Sequence, residues 1–177
     1  MKQIGLLSDT HCFLDPKGFT FFENCDEIWH AGDFGNMETL NQLAQFKPVR
    51  GVYGNIDGQE IRSVFKKHLK FRCENVKVWI THIGGYPGHY DKSVKPGIYN
   101  DPPDLFISGH SHILKVIFDP KLKLLHINPG AAGNSGFHHV KTFIRFVIDG
   151  SDIKELEVME IKRNKTVGDV PPDPSDL

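Results

Sequence analysis

The sequence predicts one α/β domain, built on a mixed sheet or on two sheets packed together. Three observations carry that prediction. Through the first half, apolar strand-like runs alternate with helical stretches, the pattern of βαβ units. Through the second half, strand-like runs follow one another across short turns, the pattern of antiparallel hairpins. Five of the apolar runs also stop on a residue that can bind a metal, as expected if strand carboxyl ends line one edge of an open sheet, where such folds place their ligands.

In chain order, a strand is expected at about residues 2–8 and a short helical stretch near 20–24. A second strand is expected at 27–30. The segment 37–44 predicts a helix, because Leu40, Leu43 and Ala44 share one face, and Pro48 stops it. A third strand follows at 49–53, then a weaker helical segment at 60–67. Further strands are expected at 69–73, 76–81, 105–108, 114–118, 123–127, 142–148 and 153–161, with turns at Asp119-Pro120-Lys121 and Asp149-Gly150-Ser151. The stretch 83–103 is rich in Pro and Gly and is expected to be a loop; a loop of that length in a compact domain is usually functional, and it is read as a flap over the site. The Pro- and Asp-rich tail at 167–177 is expected to fray, leaving a single domain over 1–166.

The 177 residues suffice for a substantial core. A formal charge of −1 gives no general attraction to nucleic acid or to an anionic membrane, so any anion must be held by a local site. Cys12, Cys25 and Cys73 are odd in number and form no C-x-x-C pair, which points to a reducing compartment. The chain runs straight into a strand without a signal pattern, and no apolar run approaches the roughly 20 residues needed to span a bilayer. A cytoplasmic protein is the expectation, with its oligomeric state open to a homo-oligomer.

The strand-end donors are Asp9, His11, Asp33, Asn55, His82, His110 and His112. Mixed carboxylate and imidazole donors suit Mn, Ni, Fe or Zn, and the absence of thiolates argues against a structural zinc site. Seven donors are too many for one ion; they fit two divalent ions that share a carboxylate. In Asp9-Thr10-His11 and His110-Ser111-His112 the i, i+2 spacing puts both side chains on one side of a strand end, where they serve one ion or straddle two.

The order Asp-x-His, Gly-Asp, Gly-Asn, His, Gly-His-x-His resembles the calcineurin-like metallophosphoesterase superfamily, and the small size resembles its compact YfcE-like phosphodiesterase branch. Asn128-Pro129-Gly130 also resembles a turn of that branch, and the likeness covers about residues 2–145. It implies a four-layer αββα sandwich of two mixed sheets. It implies that Asp9, His11 and His112 hold one metal, that Asn55, His82 and His110 hold the other, and that Asp33 bridges them. The implied activity is a phosphoesterase, with a phosphodiesterase favoured, in which a metal-bridging hydroxide attacks phosphorus. The alternatives are a phosphomonoesterase or nucleotidase, and a non-catalytic interaction scaffold of the kind formed by the retromer's vacuolar-sorting subunit. No Arg cluster marks a site for a terminal phosphate dianion, which favours diesters.

The sequence departs from the family pattern in two places. Ile56 stands where a proton-donating His commonly follows the Asn, and His82-Ile83-Gly84 lacks a second His. His89, in the flap, is the candidate substitute acid. Asp57 either orients a ligand or caps the following helix, and Asn128-Pro129-Gly130 either offers backbone N–H groups or forms a tight turn. His30 is read as packing, Cys12 as a buried or loop thiol, His138-His139 as a surface loop, and Lys66-Lys67 as a solvated face.

Overall fold

The computed structural model describes residues 1–163, so the tail assigned to 167–177 and the last residues of the 1–166 domain lie outside the described residues. The chain opens with β1 (Lys2–Leu7). Next comes α1 (Pro16–Phe21), which starts earlier than 20–24 because Asp15 accepts a hydrogen bond from the Lys17 N–H and Pro16 sits in the first turn, a favourable N-terminal pair. β2 (Glu27–His30) precedes α2 (Met37–Phe46), which is capped by Asn36 accepting from the Thr39 N–H. β3 (Val49–Gly51) and α3 (Gln59–Val64) complete the alternating half.

The second half begins with β4 (His68–Cys73) and β5 (Val76–Thr81). The stretch 83–103 is not a structureless flap. It holds the small hairpin β6 (Gly85–Tyr86) and β7 (His89–Tyr90), then α4 (Lys95–Asn100). β8 (Leu105–Ile107), β9 (Leu114–Asp119), β10 (Leu124–Pro129), β11 (Val140–Asp149) and β12 (Asp152–Lys162) follow.

Two five-stranded sheets result, ordered β12-β11-β1-β2-β3 and β4-β5-β8-β10-β9. Both are mixed. β1, β2 and β3 run parallel with antiparallel β11 and β12 beside them, and β5, β8 and β10 run parallel between antiparallel β4 and β9. The sheets pack face to face through Ile4, Leu6, Trp29, Ile80, Ile107 and Phe146, all at or near zero exposure. The outer face of the first sheet is covered by the helices through Phe22, Leu40, Leu43 and Ile61. The outer face of the second is covered by the former loop: Tyr90, Val94 and Ile98 pack on Trp79, Phe106 and Leu124. The order helix, sheet, sheet, helix is the αββα sandwich. No helix among the described residues is long and apolar enough to cross a membrane.

Candidate metal centre

The parallel strands of both sheets open their carboxyl ends toward one another, and the following loops carry the donors. Five of the seven donor residues have left-handed backbones: Asp9 (φ 54°), His11 (47°), Asp33 (60°), His110 (69°) and His112 (58°). Such conformations are uncommon for residues with side chains and persist only where the surroundings impose them. Here cross-loop hydrogen bonds do so: the Asp9 N–H donates to Gly32 O at 2.9 Å, that of His11 to Asp33 O at 3.1 Å, and that of Gly109 to His82 O at 2.9 Å. The i, i+2 pairs therefore converge through left-handed turns past the strand ends, and not through the strand period itself. Gly54 is required for close approach, since a Cβ there would run into the Asp33 carboxylate and main chain.

The donor atoms meet in a tight cluster. Asp9 Oδ1 lies 3.2 Å from His112 Nε2 and 3.8 Å from His11 Nε2. Asp33 Oδ2 lies 3.2 Å from His82 Nε2 and 3.7 Å from His11 Nε2. Asn55 Oδ1 is 3.0 Å from His82 Nε2, and the His110 ring stands edge-on to that of His82, with centroids 5.2 Å apart. Two groups of donors fall within 4.8 Å of one another, Asp9–His11–His112 and Asp9–Asp33–His82. Asp33 Oδ2 sits between His11 and His82, the place a shared ligand occupies.

The surrounding hydrogen bonds fix how the imidazoles present themselves. His82 Nδ1 contacts Ala31 O at 2.8 Å; a carbonyl only accepts, so Nδ1 carries a proton and Nε2 is the nitrogen that faces the cluster. His138 Nε2 must likewise donate to Gly133 O, at 2.9 Å, so its Nδ1 accepts from His112 Nδ1–H at 3.3 Å. His112 Nε2 is then the ring nitrogen aimed at Asp9. Asp9 Oδ2 accepts from Ser8 Oγ (2.6 Å) and the His110 N–H (3.1 Å), whereas its fully buried Oδ1 has no hydrogen-bond partner among the described residues. A buried carboxylate oxygen facing imidazole nitrogens is an arrangement that divalent transition metals complete.

The electrostatics agree. Burial opposes ionisation of Asp9, yet the neighbouring His11 and His112 hold its carboxyl far below the usual range. Burial likewise opposes ionisation of Asp33, and contact with His82 outweighs it. Asp9 raises the His11 value; for His82 burial lowers it, but Asp33 wins and the value rises.

The remaining candidates separate clearly. Asp57 does not cap α3, whose N-cap is Gly58; it accepts from the N–H groups of Asp33 (3.0 Å), Gly35 (2.8 Å) and Gly54 (2.8 Å). Ile56 is exposed, but its N–H donates to Asp33 Oδ1 at 3.1 Å. Asn128 uses its side chain: Nδ2 donates to Gly109 O and Ser111 Oγ, bracing the His110–His112 loop. His30 is structural, stacked on Phe34 and pushed down to about 3 by burial. Cys12 is an exposed free thiol. His89 stands apart from the cluster, on the β6–β7 hairpin, and lines a cavity that His110 also lines. Ser8, His138 and the Ala31 carbonyl act on the ligands without having been singled out for that role. Only His138 had a sequence signal, an imidazole in a Gly-rich turn.

Residues 1–151 match the calcineurin-like phosphoesterase superfamily domain. The chain is 29% identical over 135 residues to a "Probable metallophosphoesterase" of Methanothermobacter thermautotrophicus, covering 72% of this chain and 76% of that protein. Among solved structures, wild-type Vps29 of Entamoeba histolytica complexed with zinc superposes with a TM-score of 0.72 at 16% identity, covering 92% and 99% of the two chains. A protein described as a novel archaeal phosphodiesterase superposes with a TM-score of 0.68 at 22% identity, covering 90% and 99%. At these identities the two structures share the fold with this chain.

Proposed function

Because the chain belongs to the calcineurin-like phosphoesterase superfamily, a metal-dependent family of phosphoric ester hydrolases, we propose that it is a two-metal phosphodiesterase. The observation that carries this reading is the convergence of the buried Asp9 Oδ1 with the imidazoles of His11 and His112, with Asp33 and His82 beside them. Asp9, His11 and His112 would hold one ion, Asn55, His82 and His110 the second, and Asp33 both. The ions would supply an acidified water as nucleophile and positive charge against the phosphate.

The chain's own residues do the rest. The Ala31 carbonyl and His138 hold the His82 and His112 rings through Nδ1 and so aim their Nε2 atoms at the cluster. Ile56 holds Asp33 through its main chain and has no proton to give. His89, which lines a cavity together with His110, is the candidate to protonate a departing oxygen through a ring nitrogen. Removal of this group is expected to act selectively. His89→Ala should change the rate little with a nitrophenolate leaving group. With an alkoxide it should lower the rate by about 10²-fold or more, the usual scale of general-acid catalysis. Equal effects on the two leaving groups would remove His89 from the mechanism.

A phosphoester panel with added Mn²⁺ or Ni²⁺ tests the activity: hydrolysis of bis(p-nitrophenyl) phosphate with little action on p-nitrophenyl phosphate supports the diester reading. A scaffold role has an observation of its own. Ile113, Val116 and Phe118 are 57%, 42% and 59% exposed along and beside the edge strand β9, an apolar strip of the kind that partners cover. Absence of hydrolysis in a protein that binds two ions would favour it.

Metal loading should depend on pH. Asp9 and Asp33 hold protons on His11 and His82 to higher pH than usual, and a metal must displace those protons. Apparent affinity is expected to fall as pH drops, beginning above the ordinary imidazole value of about 6.5 because both values are raised. Calorimetry in buffers of different ionisation enthalpy should register proton release. Affinity that stays flat as pH falls through that value would exclude these imidazoles as ligands.

A further inference from the structure

Between the β6–β7 hairpin and the outer face of the second sheet lies a cavity of about 210 Å³ that His110 helps to line. The hairpin is pinned there by Ser108 Oγ donating to Gly85 O (3.0 Å) and by Tyr90 OH donating to Asp119 Oδ2 (2.8 Å). One wall is aromatic: the Tyr86 and His89 rings are 5.0 Å apart, and Lys115 Nζ stands 3.8 Å over the Tyr86 ring. His126 contributes to the lining from β10, with zero exposure, and neither of its ring nitrogens has a hydrogen-bond partner among the described residues. Burial pushes this imidazole down to about 4, against a smaller favourable contribution from the Phe106 main chain. Near neutral pH it is therefore uncharged, with one N–H donor and one lone pair. The period-2 alternation of β10 explains its orientation: Leu125 and Ile127 turn into the core between the sheets, while Leu124, His126 and Asn128 face outward.

A buried side chain offering an unused donor and acceptor beside an aromatic wall is built for a ligand that carries both. We propose that this cavity is a subsite for a flat nitrogen heterocycle on the leaving-group side of the ester, packed against the Tyr86–His89 wall and hydrogen-bonded by His126. Its volume is below the roughly 300–1,000 Å³ of pockets for drug-sized ligands, so it takes one ring and not a second nucleotide. Lys115, which also lines the cavity, favours a ring rich in lone pairs. The subsite rests on the phosphodiesterase reading and deepens it, because His110, one of the proposed ligands, lines the same cavity.

The probe is cytidine, which carries no phosphate and requires no turnover, with ribose as the control. Titrated into the full chain, cytidine is expected to bind and to shift the ring-nitrogen resonances of His126, while ribose leaves them in place. His126→Leu and Tyr86→Leu should each weaken cytidine binding about tenfold or more. Tyr86 is only partly buried on the hairpin, so its variant decides the matter if His126→Leu fails to fold. Cytidine that does not bind, or binds wild type and the folded variants equally, overturns the subsite; a water then satisfies His126. Cytidine binding in a metal-loaded protein that cleaves no diester would leave the subsite standing and remove the phosphodiesterase reading. The converse outcome would do the opposite.

Discussion

Asp33→Asn is expected to abolish diester hydrolysis and to lower the bound metal below two ions per chain. Asp33 uses its two oxygens differently: Oδ1 accepts the Ile56 N–H, and Oδ2 lies 3.7 Å from His11 Nε2 and 3.2 Å from His82 Nε2. Asparagine cannot serve both sides. If its oxygen keeps the Ile56 contact, its NH₂ points into the cluster, where only anions and lone pairs bind a cation. If it turns over, two N–H groups face each other and the left-handed turn at Asp33 loses its anchor. The substitution also removes a negative charge that the centre needs against four positive ones. Changes merely outside a metal's coordination shell cost about 10–100-fold in affinity or activity, so loss of a shared ligand should exceed about 100-fold. Elemental analysis and bis(p-nitrophenyl) phosphate turnover are the measurements, with the thermal transition as control for folding. Wild-type turnover with two ions retained would show that Asp33 is not the shared ligand.

The elements were legible in the sequence wherever the local pattern and the tertiary demand agreed. The run 76–81 is β5 to the residue, and 37–44 is the core of α2, because its apolar spacing meets a cap at Asn36 and a stop at Pro48. The convergence of the donors was legible from their positions at the ends of apolar runs. Its cause was not: the left-handed turns at Asp9, His11, Asp33, His110 and His112 are imposed by hydrogen bonds between loops distant in sequence. Nor could the sequence reveal a main-chain partner such as Ala31 O. The stretch 83–103 misled because its Pro and Gly content outweighed a subtler signal. Tyr90, Val94 and Ile98 recur every four residues and become the face that covers Trp79 and Phe106, while Pro96 falls in the first turn of α4, where proline is tolerated.

Asp57→Ala is the change expected to cost the fold most, through the same centre. The Asp57 carboxylate, 2% exposed, gathers three main-chain N–H groups: those of Asp33 and Gly54 on Oδ2 and that of Gly35 on Oδ1. Alanine leaves all three without an acceptor in a site that water enters poorly. A buried donor left unsatisfied costs about 1–3 kcal/mol, and three that share one acceptor are not additive, so a loss of about 2–5 kcal/mol is expected. Against a typical domain stability of about 5–15 kcal/mol this is a large fraction, and it should appear as a clear drop in denaturation midpoint. The effect should reach function as well, because Asp57 ties the loop after β2, which carries Asp33, to the loop after β3, which carries Asn55. With the tie cut, the turn at Asp33 is free to relax out of its left-handed conformation, and metal affinity should fall even where the chain still folds. Asp57→Asn should lie between: its one oxygen can keep Asp33 and Gly54, but its NH₂ then faces the Gly35 N–H. If Asp57→Ala unfolds at the wild-type denaturant midpoint and binds metal as tightly, the two loops are held by something other than this carboxylate.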